Sequence, residues 1–225
     1  MIAVIGGGQV GTYHASQLLK GVRSGRLPGH RLLLVDRDPD CPAFRQLGGL
    51  AEVVTETADW SEFLTAWLPR ASADDRLVPT PWAPHLLSDW LTDALGARPM
   101  APPRGWRLPY EVAVGSTLYL SAAAWTCPAT CVEPAHCPAL HAPRDWDLGD
   151  LIEEVARARG YLSVVFRLVH LAGGISSISV REIAAAVQLL RPLAQARVLV
   201  GTSSRCHAAV NAIQIFTFPP RAVKS

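Results

Sequence analysis

A glycine loop directly after a short apolar run at the start of the chain is the feature that most limits the possible folds. The run Ile2–Ile5 is followed by Gly6, Gly8 and Gly11, which form the pattern G-x-G-x-x-G. The apolar run predicts a buried strand, and a helical pattern follows the glycines. A second apolar run then ends in an acid, Asp36. This order of strand, glycine loop, helix, strand and acid predicts a dinucleotide-binding βαβ unit.

Each glycine has a separate expected role in such a unit. Gly6 allows the tight turn out of the strand, Gly8 lets the backbone approach a pyrophosphate, and Gly11 lets the helix pack closely on the strand. The helix that follows directs unpaired backbone N–H groups at the phosphates. We therefore expect Gln9 and Val10, where this helix begins, to contact the dinucleotide as well.

The acid at the end of the second predicted strand indicates which dinucleotide is bound. A carboxylate at this point accepts hydrogen bonds from the ribose hydroxyls of adenosine and repels a 2′-phosphate. Asp36 therefore favours NAD(H) over NADP(H), and the adjacent Arg37 weakens that preference. Asp36 lies further on than the usual distance of about 20 residues, which a lengthened loop over residues 21–30 explains. FAD, S-adenosylmethionine and no ligand are the alternatives that the pattern leaves open.

The composition is typical of an α/β protein with a buried parallel sheet. Of the 225 residues, 49% are hydrophobic and 18% are charged, and the length suits one large domain or two small ones. The net charge of +2 gives no electrostatic basis for nucleic-acid binding. No apolar run reaches the roughly 18 residues of a membrane span, and a strand at the first residues argues against a signal peptide. We therefore expect a cytoplasmic protein whose five cysteines are reduced or bind metal, and an oligomer is not excluded.

The predicted elements divide the chain into three regions. Residues 1–98 alternate strands and helices, which predicts a Rossmann-like, mostly parallel sheet with flanking helices. Residues 99–150 are rich in proline and cysteine and are interpreted as an insertion with a metal loop. Residues 151–225 predict a C-terminal αβ extension, which we expect to continue the same sheet. Within that extension, residues 207–213 predict a short helix.

Two stretches of the first region share a pattern with a known family. Residues 6–14 contain the glycine loop and a histidine three residues after its last glycine. Residues 78–85 contain Thr-Pro-x-x-x-His directly after a predicted strand. Both stretches resemble the N-terminal domain of the Gfo/Idh/MocA family of NAD(P)-dependent dehydrogenases, in which this turn lies against the nicotinamide. The resemblance implies that Thr80, Pro81 and His85 contact the cofactor.

The resemblance does not include the family's catalytic lysine. A Glu-Lys-Pro motif supplies that lysine in the family, whereas this chain has Ala97-Arg98-Pro99 at the corresponding place. No lysine occurs between Lys20 and Lys224, and the chain is too short for the family's large C-terminal sheet domain. The resemblance therefore implies a nucleotide-binding Rossmann domain without transferring the reaction, and it assigns no catalytic residue.

Three cysteines within eleven residues are the second chemical signal. Cys127, Cys131 and Cys137 have the spacing C-x3-C-x5-C, and thiolates bind zinc and iron–sulfur clusters. Cys206 follows a predicted strand, so it is the first candidate for a fourth ligand near the carboxyl edge of the sheet. The other candidates for that position are His136, His141 and His207. Zinc, an iron–sulfur cluster, non-ligating thiols and redox-active thiols all stay open.

Three hypotheses about function follow from these patterns. The leading one is an NAD(P)-binding oxidoreductase that acts on an unidentified small molecule and carries a Cys-ligated metal or iron–sulfur site. The second is a non-catalytic module that senses nucleotides or binds a partner and contains a structural metal. The third is a cluster-bearing electron-transfer or lyase component. His170, which ends an apolar run before two glycines, is interpreted as a structural histidine.

Overall fold

The computed structural model of the chain describes residues 1–80, 83–127 and 131–216, and within them it is a mixed α/β protein. The strands are β1 (Ile2–Ile5), β2 (Leu32–Asp36), β3 (Val53–Thr57), β4 (Arg76–Val78), β5 (Arg98–Met100), β6 (Tyr110–Val114), β7 (Thr117–Ser121), β8 (His136–Cys137), β9 (Ala142–Pro143), β10 (Leu162–Arg167), β11 (Val169–Ala172), β12 (Ile175–Ser179), β13 (Arg197–Ser203) and β14 (His207–Gln214). The helices are α1 (Gln9–Arg23), α2 (Pro42–Leu47), α3 (Trp60–Trp67), α4 (Leu86–Ala94), α5 (Leu148–Ala158) and α6 (Val180–Leu190). Within the described ranges, no helix combines the length and the apolar character needed to cross a membrane.

The first sheet contains the strands that flank the glycine loop. Its order is β11-β12-β4-β1-β2-β3. β1 is parallel to both β2 and β4, and β2 is parallel to β3. β12 is antiparallel to β4 and to β11. Every residue of β1 is buried, which explains its unbroken apolar sequence, because strands covered on both faces lack alternating polarity.

Helices cover both faces of the parallel strands. Successive side chains of a strand point to opposite faces, so β1 contributes to two separate cores. Ile2 and Val4 pack with Leu18 of α1 on one face. Ala3 and Ile5 belong to the core that contains residues of α3, α4 and α6 on the other.

The second sheet has the order β10-β13-β14-β7-β6, and β5 also pairs with β14. β10 and β13 are parallel, whereas β14 is antiparallel to both β13 and β7. On one face of this sheet, Ile152 of α5 packs with Leu199 and Val210. On the other face, Val198 and Val200 join the core of α3, α4 and α6. These three helices therefore share one hydrophobic core with both sheets.

The chain passes from the second sheet to the first at Leu168. β10 ends one residue before it and β11 begins one residue after it, and the Leu168 N–H donates to the Ser203 carbonyl at 2.8 Å. Of the strands after residue 150, β11 and β12 lie in the first sheet, whereas β10, β13 and β14 lie in the second. The expectation that this region continues the first sheet is therefore wrong for those three strands. The crossing is hidden in the sequence because the strands on either side of it form one apolar run.

β14 occupies the stretch for which a helix over residues 207–213 was predicted. It lies between β13 and β7, and residues 208–213 are all buried. A strand buried on both faces shows no alternation of apolar and polar residues, so periodicity alone does not distinguish it from a short buried helix. The predicted helix is wrong for this reason.

Candidate functional site

The glycine loop leads directly from β1 into α1. Gly6 has a φ of 90°, a left-handed conformation that glycine adopts without strain. Gly8 is the N-cap residue of α1, and it supplies no side-chain cap. The first backbone N–H groups of a helix have no partner within the helix. An uncapped N-terminus that faces a loop is therefore suited to binding an anion.

The space around each glycine separates their structural roles. A Cβ placed on Gly11 would lie 1.7 Å from the Gly6 carbonyl oxygen, so only glycine fits where α1 crosses the end of β1. A Cβ placed on Gly8 would meet no atom within 4 Å. Gly11 is thus required for packing, whereas Gly8 borders open space.

Asp36 ends β2 beside the same loop. Its Oδ2 accepts a hydrogen bond from the Gly7 N–H at 2.5 Å, and its Oδ1 accepts one from the Asp38 N–H at 2.9 Å. These two bonds fix the orientation of the carboxylate. Each oxygen of an ionised carboxylate has about two lone-pair sites, so Asp36 retains acceptor capacity for a ligand.

A crevice of about 350 Å³ opens at this loop. The predicted contact residues that line it are Gly6, Gly8, Gln9, Val10, Gly11, Asp36 and Thr80. Trp60, which begins α3, lines it too. Its indole Nε1 is buried and has no hydrogen-bond partner among the residues that the structure describes. A buried indole N–H usually has a partner, so Trp60 Nε1 is an unsatisfied donor in a residue that lines the crevice.

Arg37 and His85, which were also predicted to contact the cofactor, are not among the residues that line the crevice. Arg37 is exposed. His85 directly precedes α4, where its Nε2 lies 3.6 Å from Asp89 Oδ2 within the same helical segment. Pro81 lies outside the described residues. The Thr-Pro-x-x-x-His turn thus contributes Thr80, but not His85, to this site.

A larger cavity of about 440 Å³ adjoins the crevice, and Thr80 lines both. Residues from both sheets form its walls, including Ser176 of β12, Thr202 of β13 and His207 of β14, together with His14 of α1. Its volume falls within the roughly 300–1,000 Å³ that is usual for small-molecule sites. This cavity was not predicted from the sequence, because its walls come from segments far apart in the chain.

Partial removal from water lowers the pKa of both histidines of the cavity. Removing an imidazole from water disfavours its charged form, and this lowers the pKa of His14 below the ordinary value of 6.5. His207 is exposed overall, yet partial removal of its ring from water also lowers its pKa, and the nearby Glu133 carboxylate opposes that shift. Both rings are therefore neutral at pH 7 and able to accept a proton or a hydrogen bond.

We expect the protein to lose stability as the pH falls through the titration of these two rings. Each pKa is lower in the folded chain than the unfolded value of about 6.5, so the unfolded chain binds protons first. The free energy of unfolding should consequently be constant near pH 7.5 and fall between about pH 6.5 and pH 5. Urea unfolding across this range is the measurement. The double variant His14→Gln, His207→Gln should show a shallower fall, and an unchanged slope would contradict the assignment.

Two of the predicted metal ligands, Cys137 and Cys206, lie next to the guanidinium of Arg144. Burial alone would raise the pKa of Cys137, but backbone hydrogen bonds and the charge of Arg144 lower it below the ordinary value. Burial raises the pKa of Cys206, even though the Trp146 Nε1–H donates to its Sγ at 3.3 Å. Arg144 thus already provides a positive charge to both thiols.

The described residues do not fit the predicted zinc or iron–sulfur site. Within residues 1–80, 83–127 and 131–216, no group of three or more His, Cys, Asp or Glu side chains could hold a metal ion. A guanidinium next to Cys137 and Cys206 repels a second cation. Cys131 Sγ accepts a hydrogen bond from the Glu133 N–H at 3.4 Å, and residues 128–130, which follow Cys127, lie outside the described residues. Of the alternative ligands, His136, His141 and His207 are all exposed, and His207 lines the larger cavity.

Glu133 attaches the cysteine loop to the turn between β13 and β14. Its carboxylate accepts hydrogen bonds from Ser204 Oγ and the Arg205 N–H, each at 2.7 Å, and from the Cys206 N–H at 3.3 Å. Hydrogen bonds to a charged acceptor are stronger than neutral ones. Because Ser204 lines the larger cavity, the loop that the sequence assigned to metal binding helps to position a cavity wall.

Comparison with protein families adds one result. A family model described as the C-terminal domain of an uncharacterized protein matches residues 83–216, which is more than half of the chain. The chain belongs to this family. The part matched to the family includes β10 to β14, which contribute Ser176, Thr202 and His207 to the larger cavity, whereas the glycine loop precedes it. Comparison with curated proteins gives no match, and neither does comparison with solved structures.

Proposed function

We propose that this protein binds NAD(H) at the glycine loop and acts as an oxidoreductase on a small molecule. The observation that carries the proposal is the uncapped N-terminus of α1, which faces a crevice bordered by Gly8 and Asp36. The adenosine and diphosphate half of the dinucleotide has the most specific partners, because the N-terminus of α1 and Asp36 both border the crevice.

The topology of the first sheet supports this proposal. The parallel strands have the order β3-β2-β1-β4, with β1 at the point where the chain changes direction across the sheet. In Rossmann-type sheets the dinucleotide binds at this switch point, outside the carboxyl ends of the strands. The crevice lies at that edge, since Gly6 directly follows β1 and Asp36 ends β2.

The polar groups of the crevice match the chemistry of the ligand. The positive end of the α1 dipole and its free N–H groups favour a diphosphate. Gly8 leaves space for close approach, because a Cβ there would meet nothing within 4 Å. Asp36 supplies a carboxylate of fixed orientation for ribose hydroxyls. The residues present therefore fit the group.

The larger cavity beside the crevice is the proposed place of the reaction with the small molecule. A nicotinamide bound beside Thr80 would supply hydride chemistry, and the protein would supply placement and exclusion of water. Thr80 lines both the crevice and the cavity, so the cavity begins where the diphosphate half of the site ends. Binding of NADH without reduction of any carbonyl compound would instead favour a nucleotide-sensing role.

We expect Asp36→Asn to remove the preference for NADH over NADPH. The carboxylate accepts from ribose hydroxyls and repels a 2′-phosphate, and hydrogen bonds to charged groups contribute about 1.5–3 kcal/mol. NADH affinity should fall about tenfold or more, while NADPH affinity is unchanged or improves. Calorimetric titration of both dinucleotides measures this difference.

The matched control for that variant is Asp40→Asn. Asp40 is an exposed acid between β2 and α2, and its side chain is not part of the crevice lining. It has the same change of charge, so its affinities should equal those of the unmodified protein. An equal loss of NADH affinity in both variants would mean that the change in net charge causes it, and this would contradict the role of Asp36.

A further inference from the structure

Ser176 and His170 form a hydrogen-bonded pair at the wall of the larger cavity. Ser176 Oγ lies 2.8 Å from His170 Nδ1. The two residues are directly opposite each other on β12 and β11. When Nδ1 carries no proton, the serine hydroxyl donates to it. Ser176 lines the cavity, whereas His170 does not. The hydrogen bond between them therefore connects the cavity to a proton acceptor outside its lining.

The local backbone explains why the pair is held in this place. Gly173 and Gly174 both have positive φ and form the turn between β11 and β12. The register of the two strands shifts between His170 and Ala172. Such irregularities redirect side chains and are frequent beside active sites. The glycine turn and the register shift together place Ser176 where it lines the cavity.

The walls of the cavity combine uncharged hydrogen-bonding groups with apolar side chains. Ser176 and Thr202 provide hydroxyls, His14 and His207 provide imidazoles, and Leu168 and Ile175 provide apolar surface. Small-molecule sites usually have this composition of apolar walls with a few polar groups that set the orientation. These groups are complementary to an alcohol or carbonyl oxygen that carries an apolar substituent.

We propose that the larger cavity binds an uncharged alcohol or carbonyl compound as the substrate of hydride transfer, and that Ser176 and His170 transfer its hydroxyl proton. This inference rests on the proposed binding of NAD(H) in the adjoining crevice. Ser176 is the catalytic residue, because its hydroxyl would contact the substrate oxygen. His170 acts through Ser176 and accepts the proton.

The reaction balances with NAD⁺ as the oxidant. In the oxidation direction, the substrate carbon loses hydrogen and its bonding electron pair to NAD⁺, and the substrate C–O single bond becomes a carbonyl. The substrate O–H bond breaks and its proton passes to Ser176 Oγ, while the proton of Ser176 passes to His170 Nδ1. The products are a carbonyl compound, NADH and a protonated His170, and carbonyl reduction is the reverse.

The test uses the full chain with NADH and a panel of aliphatic and aromatic aldehydes and ketones. The first measurement is NADH binding by calorimetry, and the second is the loss of NADH absorbance with each compound. We expect the unmodified protein to reduce at least one compound. Ser176→Ala should lower kcat by about 100-fold or more, since positioned acid–base groups contribute roughly 10²–10⁴-fold. Its NADH affinity should be unchanged.

Ser177→Ala is the matched control. Ser177 is the next residue of β12, and its Oγ is buried with no hydrogen-bond partner in the part of the chain that the structure describes. Its loss removes a hydroxyl from the same strand without touching the cavity, so kcat should be unchanged. His170→Asn separates positioning from proton transfer. The asparagine amide keeps a hydrogen-bonding group near the position that Nδ1 occupies in His170, but it cannot take the proton. Here kcat should fall while KM stays constant.

The outcomes separate this inference from the proposed function. If NADH binds but no panel compound is reduced, or if Ser176→Ala or His170→Asn retains kcat within about threefold, the inference is overturned and dinucleotide binding stands. If NADH does not bind, both proposals fail. Loss of kcat in Ser176→Ala and His170→Asn, with full activity in Ser177→Ala, supports the proposal.

Discussion

Gly11→Ala is expected to destabilise the protein by more than about 3 kcal/mol, at or above the upper end of ordinary overpacking costs. The new methyl group would lie 1.7 Å from the Gly6 carbonyl oxygen and 2.7 Å from its carbon. Both atoms belong to the backbone, so no side-chain rotation relieves the clash. α1 would have to move away from β1, which would open the core around Leu18. Chemical denaturation followed by tryptophan fluorescence measures the change.

Gly49→Ala is the control for this substitution. Gly49 is exposed, and a Cβ there would meet no atom within 4 Å. Its free energy of unfolding should stay within about 0.5 kcal/mol of the unmodified protein, as for most surface changes. If Gly11→Ala were equally neutral, the close approach of α1 to the end of β1 would be wrong.

Gly8→Ala is expected to weaken dinucleotide binding on the order of 100-fold while the fold is retained. Its φ of −67° suits any residue, and the space around a Cβ is empty, so the stability change should be at most about 1 kcal/mol from the less favourable N-cap. The same methyl group would occupy the space that the diphosphate needs. An overpacking cost of up to about 3 kcal/mol corresponds to a loss of affinity on the order of 100-fold.

This second variant distinguishes a binding glycine from a structural one. Gly8→Ala should unfold at nearly the same denaturant concentration as the unmodified protein. It should nevertheless remain mostly unbound at NADH concentrations that saturate the unmodified protein. If Gly8→Ala bound NADH with unchanged affinity, the dinucleotide could not lie against this loop. The opposite behaviour of Gly8 and Gly11 follows directly from their surroundings.

The parts of the fold and site that the sequence predicts are those that depend on neighbouring residues. The turn at Gly6, the packing role of Gly11 and the position of Asp36 at the end of β2 are all set within one short unit. The start of α6 also depends on neighbouring residues, because Ser179 and Glu182 form a capping box with both reciprocal hydrogen bonds. Local rules apply wherever a few consecutive residues fix the backbone.

The larger cavity was not predictable from the sequence because its walls are not local. His14, Ser176 and His207 come from a helix of the first region, a strand of the first sheet and a strand of the second. Only the crossing of the chain at Leu168 brings the two sheets together around them, and no short pattern encodes that crossing. Ser176 could not be singled out either, since its partner His170 was interpreted as structural.

The cysteine loop shows the limit of composition as evidence. Three closely spaced cysteines predicted a metal site, but no local pattern indicates that Arg144 lies beside Cys137 and Cys206. Nor did it indicate that Glu133 would accept hydrogen bonds from the distant turn that follows β13. A cluster of potential ligands becomes a site only when the other charges around it permit one.

The most direct test of the account is an amide NMR titration of the ¹⁵N-labelled protein with NADH. The backbone N–H signals of Gly8, Gln9, Val10 and Gly11 should shift most, together with the indole N–H of Trp60, because these residues line the crevice. The same signals should be unaffected by NADH in Gly8→Ala. Binding that leaves the amides of residues 8–11 unchanged and shifts another part of the chain would contradict the placement of the dinucleotide at the glycine loop.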